Sequence, residues 1–367
     1  MSKLWKINGL NSFIKLYLFF TRKKLETSYS KENFNPSHIV VFSTTALGDF
    51  LFNTPAIKAV RRRFPNAKIT LIAHRKFAEI LQHGNDWDDV LYWNNKLSTI
   101  LHILRQLKKE PTIDLSLLLH SHEPYDYLCA ILAGSRLVIR DNYNDNVPLR
   151  DKWLADYMIA FQGHIIERKL KLVEGLGCDI TDIEMKFPYK VDAKTKTKHA
   201  VIGFQLGASK PDRCWPPEYF SKAAQQILEY YPDTTIILTG GPDEKNKASE
   251  FYLFLPEKYH NNIINKVAST NLLELASVIN KMDVLLTGDT GPLHVAISLK
   301  TPTLGLFVTA NPYSTGAYQD PDLHDFIYIA QRKSSLDNKY TMGQITPEMV
   351  VTKIQEKLNK IKNNDKN

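Results

Sequence analysis

From residue 38 onward, short apolar runs alternate with stretches of helical period. The runs at 38–42, 68–73, 90–93, 115–119 and 137–139 are almost continuously hydrophobic, the pattern of strands buried on both faces. Amphipathic segments separate most of them, the first ending in Arg61-Arg62-Arg63. Such alternation predicts an α/β domain, a parallel sheet covered by helices. Near Pro188 the period lapses, and residues 189–199 are polar, lysine-rich and linker-like. A second series follows, with strands predicted at 200–205, 235–239, 284–287 and 303–307 and helices at 217–231, 272–280 and from about 292.

The chain therefore divides into an extension (1–35), a doubly wound domain (36–188), a linker (189–199), a second doubly wound domain (200–345) and a C-terminal helix with tail (346–367). The last helical pattern, 347 to about 361, is expected to cross back and support the first domain. Two such domains facing a central cleft place ligands at the carboxyl ends of their strands. No internal repeat of about 20–50 residues is present.

The first 24 residues follow another pattern. Lys3, Lys6, Lys15, Arg22, Lys23 and Lys24 precede the first acid, Glu26, and are interleaved with Trp5, Leu10, Phe13, Ile14, Tyr17 and Phe20. Positions 10, 13, 14 and 17 share a helical face, which predicts a basic amphipathic helix. The apolar stretch is far below the ~20 residues of a membrane span, and Thr-Arg-Lys-Lys stands where a signal peptide would be cleaved. Two fates remain open for this helix, lying in the interface of an anionic leaflet or packing on the protein.

Composition narrows the picture. Apolar residues make up 43% and charged residues 23% of the 367, which excludes wholesale disorder, a fibrous repeat and a multi-span membrane protein. Three dispersed cysteines form neither a disulfide framework nor a zinc knuckle, and a reducing cytoplasm is expected. Most of the +8 net charge belongs to the N-terminal cations, and no nucleic-acid-binding motif accompanies it.

Four strand-to-helix turns carry candidate chemistry. Gly48-Asp49 follows the first strand, where Asp49 is a candidate general base and equally a helix cap. Gly288-Asp289-Thr290-Gly291-Pro292-Leu293-His294 follows the strand at 284–287, with glycines and a helix N-terminus suited to a phosphate. Ser209, Lys210 and Arg213 follow the strand at 200–205 and suit the charge of a departing diphosphate. Glu244 closes the turn after 235–239, placed to accept from ribose hydroxyls. Asp86-Trp87-Asp88 has the spacing of a metal-binding DxD but precedes a strand and reads as a solvated turn. His120-Ser121-His122-Glu123 lacks a second ligand pair for a metal. Neither a P-loop nor GxGxxG after the first strand is present.

Together these turns resemble glycosyltransferase family 9, the heptosyltransferases of lipopolysaccharide core synthesis. The carrying residues are Leu47-Gly48-Asp49 with Thr54-Pro55-Ala56, Ser209 through Pro216, Gly240 through Glu244, and Asp289 through His294 with Pro302. The resemblance spans roughly residues 38 to 360. It implies a GT-B fold, an acceptor-binding first domain, a donor-binding second domain, and inverting transfer from ADP-heptose to an anionic glycolipid at the cytoplasmic face of the membrane, with no cofactor and no metal. Asp49 is then the base; Ser209 and Arg213 hold the diphosphate; Glu244 meets the ribose; and Asp289, Thr290, Gly291 and His294 shape the sugar-diphosphate pocket. Arg61, Arg75, His120 and His122 are acceptor-side candidates. The sequence departs from the family at residues 119–124 and at Arg140, where a glycine is common, so acceptor identity stays open. Other readings are a different nucleotide-sugar donor, a non-catalytic nucleotide-sugar-binding protein, and an epimerase of activated sugars.

Overall fold

A computed structural model describes residues 3–141, 156–158, 163–194, 197–330 and 342–364. Residues 195–196 of the expected linker and 365–367 of the expected tail lie outside these. The chain forms two compact units, Met1–Tyr189 and Lys190–Asn367.

The first unit runs α1 (Lys3–Thr21), β1 (His38–Ser43), α2 (Leu47–Arg63), β2 (Lys68–Ala73), α3 (Ala78–Leu81), β3 (Asp89–Tyr92), α4 (Ile100–Leu107), β4 (Leu115–His120), α5 (Tyr125–Ala133), β5 (Leu137–Asp141), β6 (Asp156–Met158) and α6 (Ile165–Glu174). Its six strands are parallel, in the order β3-β2-β1-β4-β5-β6. Every residue of β1 and β4 is buried, as the continuous apolar runs require. Val40, Phe42, Ile72, Leu118 and Val138 form one core with Trp93, Ile103 and Tyr127. Helices α2 and α6 pack against each other and against other strands of the sheet.

The second unit repeats the plan with β7 (Val201–Gln205), α7 (Pro217–Tyr230), β8 (Thr235–Thr239), α8 (Lys245–Phe254), β9 (Ile263–Asn265), α9 (Leu272–Asn280), β10 (Val284–Gly288), α10 (Gly291–Ser298), β11 (Thr303–Phe307), α11 (Pro312–Thr315), β12 (His324–Tyr328) and α12 (Pro347–Asn364). The sheet order is β12-β11-β10-β7-β8-β9, again all parallel. Counted from its own first strand, this is the first unit's order. Each sheet therefore reverses direction between its first and fourth strands, which makes β1/β4 and β7/β10 the switch points where a doubly wound sheet opens a crevice.

Helix α12 corrects one expectation. Val350, Val351, Ile354 and Leu358 belong to the core of the second unit, beside Phe220, Ile227 and Leu286. Their spacing of about one turn makes the stripe that covers α7 and β10, so the helix completes its own domain. Trp215 Nε1 donates to Ile345 O at 2.8 Å and fixes the approach.

Helix α1 packs by one face. Ile7, Asn11 and Ile14 are buried, and Ile14 joins the first unit's core with Leu10, Tyr17 and Leu18 around it. Phe13, expected on the same face as 10, 14 and 17, points outward.

Candidate functional site

At the first switch point, β1 ends at Ser43 and α2 begins at Leu47, so Asp49 lies in the helix's first turn. Its Oδ2 accepts from the Ala46 N–H at 3.1 Å, satisfying a main-chain donor that the helix leaves unpaired. The carboxylate remains about one-third exposed, with Oδ1 3.8 Å from His120 Nε2 at the end of β4. The structure thus gives Asp49 both a cap and an open oxygen. His120 is itself fixed, with Nδ1 2.8 Å from Asn53 Oδ1, while Asn53 Nδ2 donates to Ser43 Oγ at 2.8 Å. Burial, aided by Lys169 and Arg168, holds the His120 pKa well below its ordinary value, with a partly opposing hydrogen bond to the Asp49 main chain. His120 is therefore neutral near pH 7, and its contact with Asp49 is dipolar rather than an ion pair.

Arg75 and Lys76 are exposed just past β2, and His122 is exposed just past β4. Burial, then Lys76 and His122, lowers the His74 pKa, so these groups sense one another at the carboxyl edge of the sheet. Arg61 is used differently from expectation. Its guanidinium donates to Ala67 O at 2.8 Å and to Asp88 Oδ2 at 2.5 Å, anchoring the start of β2 instead of standing free for an acceptor. Asp88 also accepts from the Ile69 N–H at 2.7 Å. Burial pushes the Asp88 carboxyl up, but the Ile69 N–H and Arg61 together hold it below its ordinary value. The DxD spacing is thus a sheet-edge clasp.

The two departures from the family pattern form one feature. Arg140, on β5, makes a buried ion pair with Asp126, whose Oδ2 also accepts from Ser121 Oγ at 2.6 Å. Asp126 Oδ1 accepts from the Tyr127 N–H at 2.8 Å. Arg140 is thus matched by an aspartate that pairs with it and by a serine that donates to that aspartate.

At the second switch point a cavity of about 430 Å³ opens, lined by Ser209, Gly241, Glu244, Asn271, Thr290 and Gly291 among others. Its size suits a nucleotide-scale ligand. Thr290 precedes α10 at the cap position, its Oγ1 2.9 Å from Thr287 Oγ1, and Gly291 and Pro292 line the wall. Pro292 has no N–H and the Leu293 N–H donates to Thr290 O at 3.2 Å, so the Gly291 N–H is the main-chain donor this first turn offers a phosphate. Behind it Arg213 Nη1 meets Asp289 Oδ2 at 2.7 Å, and His294 Nε2 lies 3.7 Å from Asp289 Oδ1. Asp289 therefore orients a cation rather than repelling an anion. A Cβ on Gly288 would come within 2.6 Å of Arg213 O, so this glycine admits the loop that carries the arginine.

Glu244 lies over Gly207, where a Cβ would sit 2.1 Å from its carboxyl carbon. Its Oε2 accepts from the Gly241 N–H at 2.9 Å, and its Oε1 is 3.4 Å from Lys247 Nζ, which lies 3.2 Å from Cys214 Sγ. Four of the expected donor-side residues, Ser209, Glu244, Thr290 and Gly291, line this one crevice, while Arg213 and His294 are both tied to Asp289, the neighbour of Thr290 in sequence. Sequence reasoning missed Thr270, Asn271, Leu272 and Leu275 at the start of α9, which complete the wall. Their signal was the capping box Asn271–Glu274, in which Asn271 Oδ1 accepts from the Glu274 N–H at 2.8 Å and Glu274 Oε2 from the Asn271 N–H at 2.9 Å. It marks a helix start, and only the fold puts that start beside the cavity.

Comparison with known proteins shows the family. The profile of Glycosyltransferase family 9 (heptosyltransferase) matches residues 152–343, more than half of the chain. Lipopolysaccharide heptosyltransferase 3 of Escherichia coli is 25% identical over 280 residues, covering 71% of this chain and 79% of that protein. Lipooligosaccharide heptosyltransferase 2 of Campylobacter jejuni is 22% identical, covering 87% and 98%. The Haemophilus influenzae lipooligosaccharide heptosyltransferase 2 is 28% identical, but the match spans only 48% of its length. Among solved structures, a family 9 glycosyl transferase from Veillonella parvula superposes with a TM-score of 0.74 at 19% identity, covering 91% of this chain and all of that one. ADP-heptose lipopolysaccharide heptosyltransferase II of Escherichia coli gives 0.71 at 17% identity, covering 89% and 99%. These likenesses establish the shared α/β, GT-B fold.

Proposed function

Because this chain belongs to glycosyltransferase family 9, the heptosyltransferases, we propose that it moves heptose from a nucleotide-activated donor onto the core of a lipopolysaccharide. One observation carries the reading: each unit presents its functional groups at its own switch point, a carboxylate on the first and a phosphate-suited cavity on the second.

The donor's diphosphate is held by the Ser209 hydroxyl, the Gly291 N–H and Arg213, with the guanidinium aimed by Asp289. Glu244 accepts from the ribose. ADP-heptose is the proposed donor, as the relatives' names suggest. Inverting transfer is a single displacement through an oxocarbenium-like transition state. Asp49 takes the proton of the incoming hydroxyl, and the fixed donors of the second unit stabilise the charge that grows on the leaving diphosphate. Charge-assisted donors and the Gly291 N–H supply this stabilisation, so the scheme routes no step through a metal or another cofactor. Arg75, Lys76 and His122 suit an acidic acceptor, and such a glycolipid places the enzyme at the cytoplasmic face of the membrane as a peripheral protein.

The test is product analysis: protein incubated with ADP-heptose and truncated core glycolipids is expected to add one heptose mass to an acceptor. Sugar conversion without acceptor would favour an epimerase, and nucleotide-sugar binding without turnover on any acceptor would favour a binding protein.

A further inference from the structure

Helix α1 has two apolar faces. At about 100° per residue, Ile7, Leu10, Ile14, Tyr17 and Leu18 gather on the side that packs inward, where Tyr127 Oη donates to Asn11 Oδ1 at 3.3 Å. Trp5, Phe13, Leu16 and Phe20 fall within roughly 80° of one another on the opposite side. All four are exposed, as is Phe19 at their margin, with Phe19 and Phe20 at 77% and 74%. Lys6 and Lys15 lie on the two flanks between these faces. A domain helix ordinarily buries one stripe and presents polar groups elsewhere. Five large apolar side chains left in water mark an interaction surface.

Beyond the helix's end is a groove of about 400 Å³, lined by Leu18, Lys23, Lys24, Lys108, Glu110 and Arg136 among others. Glu110 is bound by Lys68, and Arg136 is bound by Glu26 at 2.7 Å and Asp114 at 3.0 Å. Lys23, Lys24 and Lys108 form no ion pair among the described residues, so the groove keeps an excess of positive charge. Lys23 Nζ sits 5.9 Å from the centre of the Tyr17 ring.

We propose that this is a docking surface for an anionic phospholipid bilayer. The exposed face of α1 lies in the headgroup–acyl boundary, and Lys23, Lys24 and Lys108 hold a lipid phosphate in the groove. Charge complementarity selects this occupant. A second copy of the chain meeting this patch face to face would set the same cations against each other. Among the described residues no helix is long and apolar enough to cross a membrane, so the contact lies along the surface. The inference deepens the glycolipid-acceptor reading by naming the surface that reaches the membrane, and its test needs no transferase activity.

The experiment is flotation of the full chain with phosphatidylglycerol-containing vesicles, with pure phosphatidylcholine vesicles as reference. Binding is expected to the anionic vesicles, to weaken with salt, and to fall at least about tenfold both in Phe19→Ser/Phe20→Ser and in Lys23→Glu/Lys24→Glu/Lys108→Glu. All five positions are solvent-facing, and unchanged melting temperatures would confirm intact folding. Binding of inorganic phosphate that is lost in Lys23→Glu/Lys24→Glu/Lys108→Glu, with no flotation on anionic vesicles, would mean a free-phosphate site and overturn the bilayer assignment. Binding by either variant equal to that of the unaltered chain, no binding to anionic vesicles, or a dimer dissolved by Phe19→Ser/Phe20→Ser would also overturn it.

Discussion

Asp49 has two demands on one carboxylate. One oxygen caps α2 through the Ala46 N–H while the other remains available near His120. Asp49 could be read from the sequence as a turn acid, but His120 reads there only as one of a histidine pair, because its tie to Asn53 exists only after β1, α2 and β4 assemble. His120 is a positioning residue in this account. His120→Ala is expected to lower kcat by about ten- to a hundredfold with donor affinity unchanged, since small displacements of a reacting group are costly. Steady-state kinetics with a donor-binding measurement checks this. Gly207 makes a second prediction. Gly207→Val would drive a side chain into Glu244, so donor affinity should drop by at least about tenfold, read by calorimetry, alongside a destabilisation of about 1–3 kcal/mol. Arg61 shows where sequence reading falls short: a cation in an Arg run looks free, and only the residues leading into β2 and β3, Ala67 and Asp88, supply the carbonyl and carboxylate that engage it.

Among the elements, the long strands and the helices beside them were visible because fully buried strands must be continuously apolar. The strands β6, β9 and β12 escaped notice. β6 and β9 have three residues each, too few for a period to declare itself, and β12 mixes His324 and Asp325 into its apolar positions. His324 also carries a pH prediction. Burial, helped by Lys357, pushes its pKa down to about 4, against an ordinary value near 6.5. The folded protein keeps this ring neutral while the unfolded chain binds the proton, so stability should fall as pH drops from about 6.5 and level off near 4, a loss of about 3 kcal/mol from this group. Urea denaturation across that range, with a smaller loss in His324→Asn, tests the assignment. For α1, Ile14→Ala should destabilise the first unit by about 2–4 kcal/mol because it empties a closed core position. Phe19→Ser should stay within about 0.5 kcal/mol.

At the scale of the whole molecule, one strand order is used twice, and both copies put chemistry at the reversal. That repetition was legible as two α/β series. The identity of the cavity-lining residues was not, because Asn271 and Leu272 reach the donor side through tertiary arrangement rather than through any local motif. In the proposed reaction Asp49 deprotonates the acceptor hydroxyl while the second unit holds the nucleotide sugar. The most direct measurement is acceptor-dependent release of ADP from ADP-heptose by the full chain and by Asp49→Asn, alongside the donor-induced rise in melting temperature of each. Asp49→Asn is expected to keep the melting shift and to lose turnover by at least about a hundredfold. Undiminished ADP release by Asp49→Asn would contradict the role of Asp49 as the base.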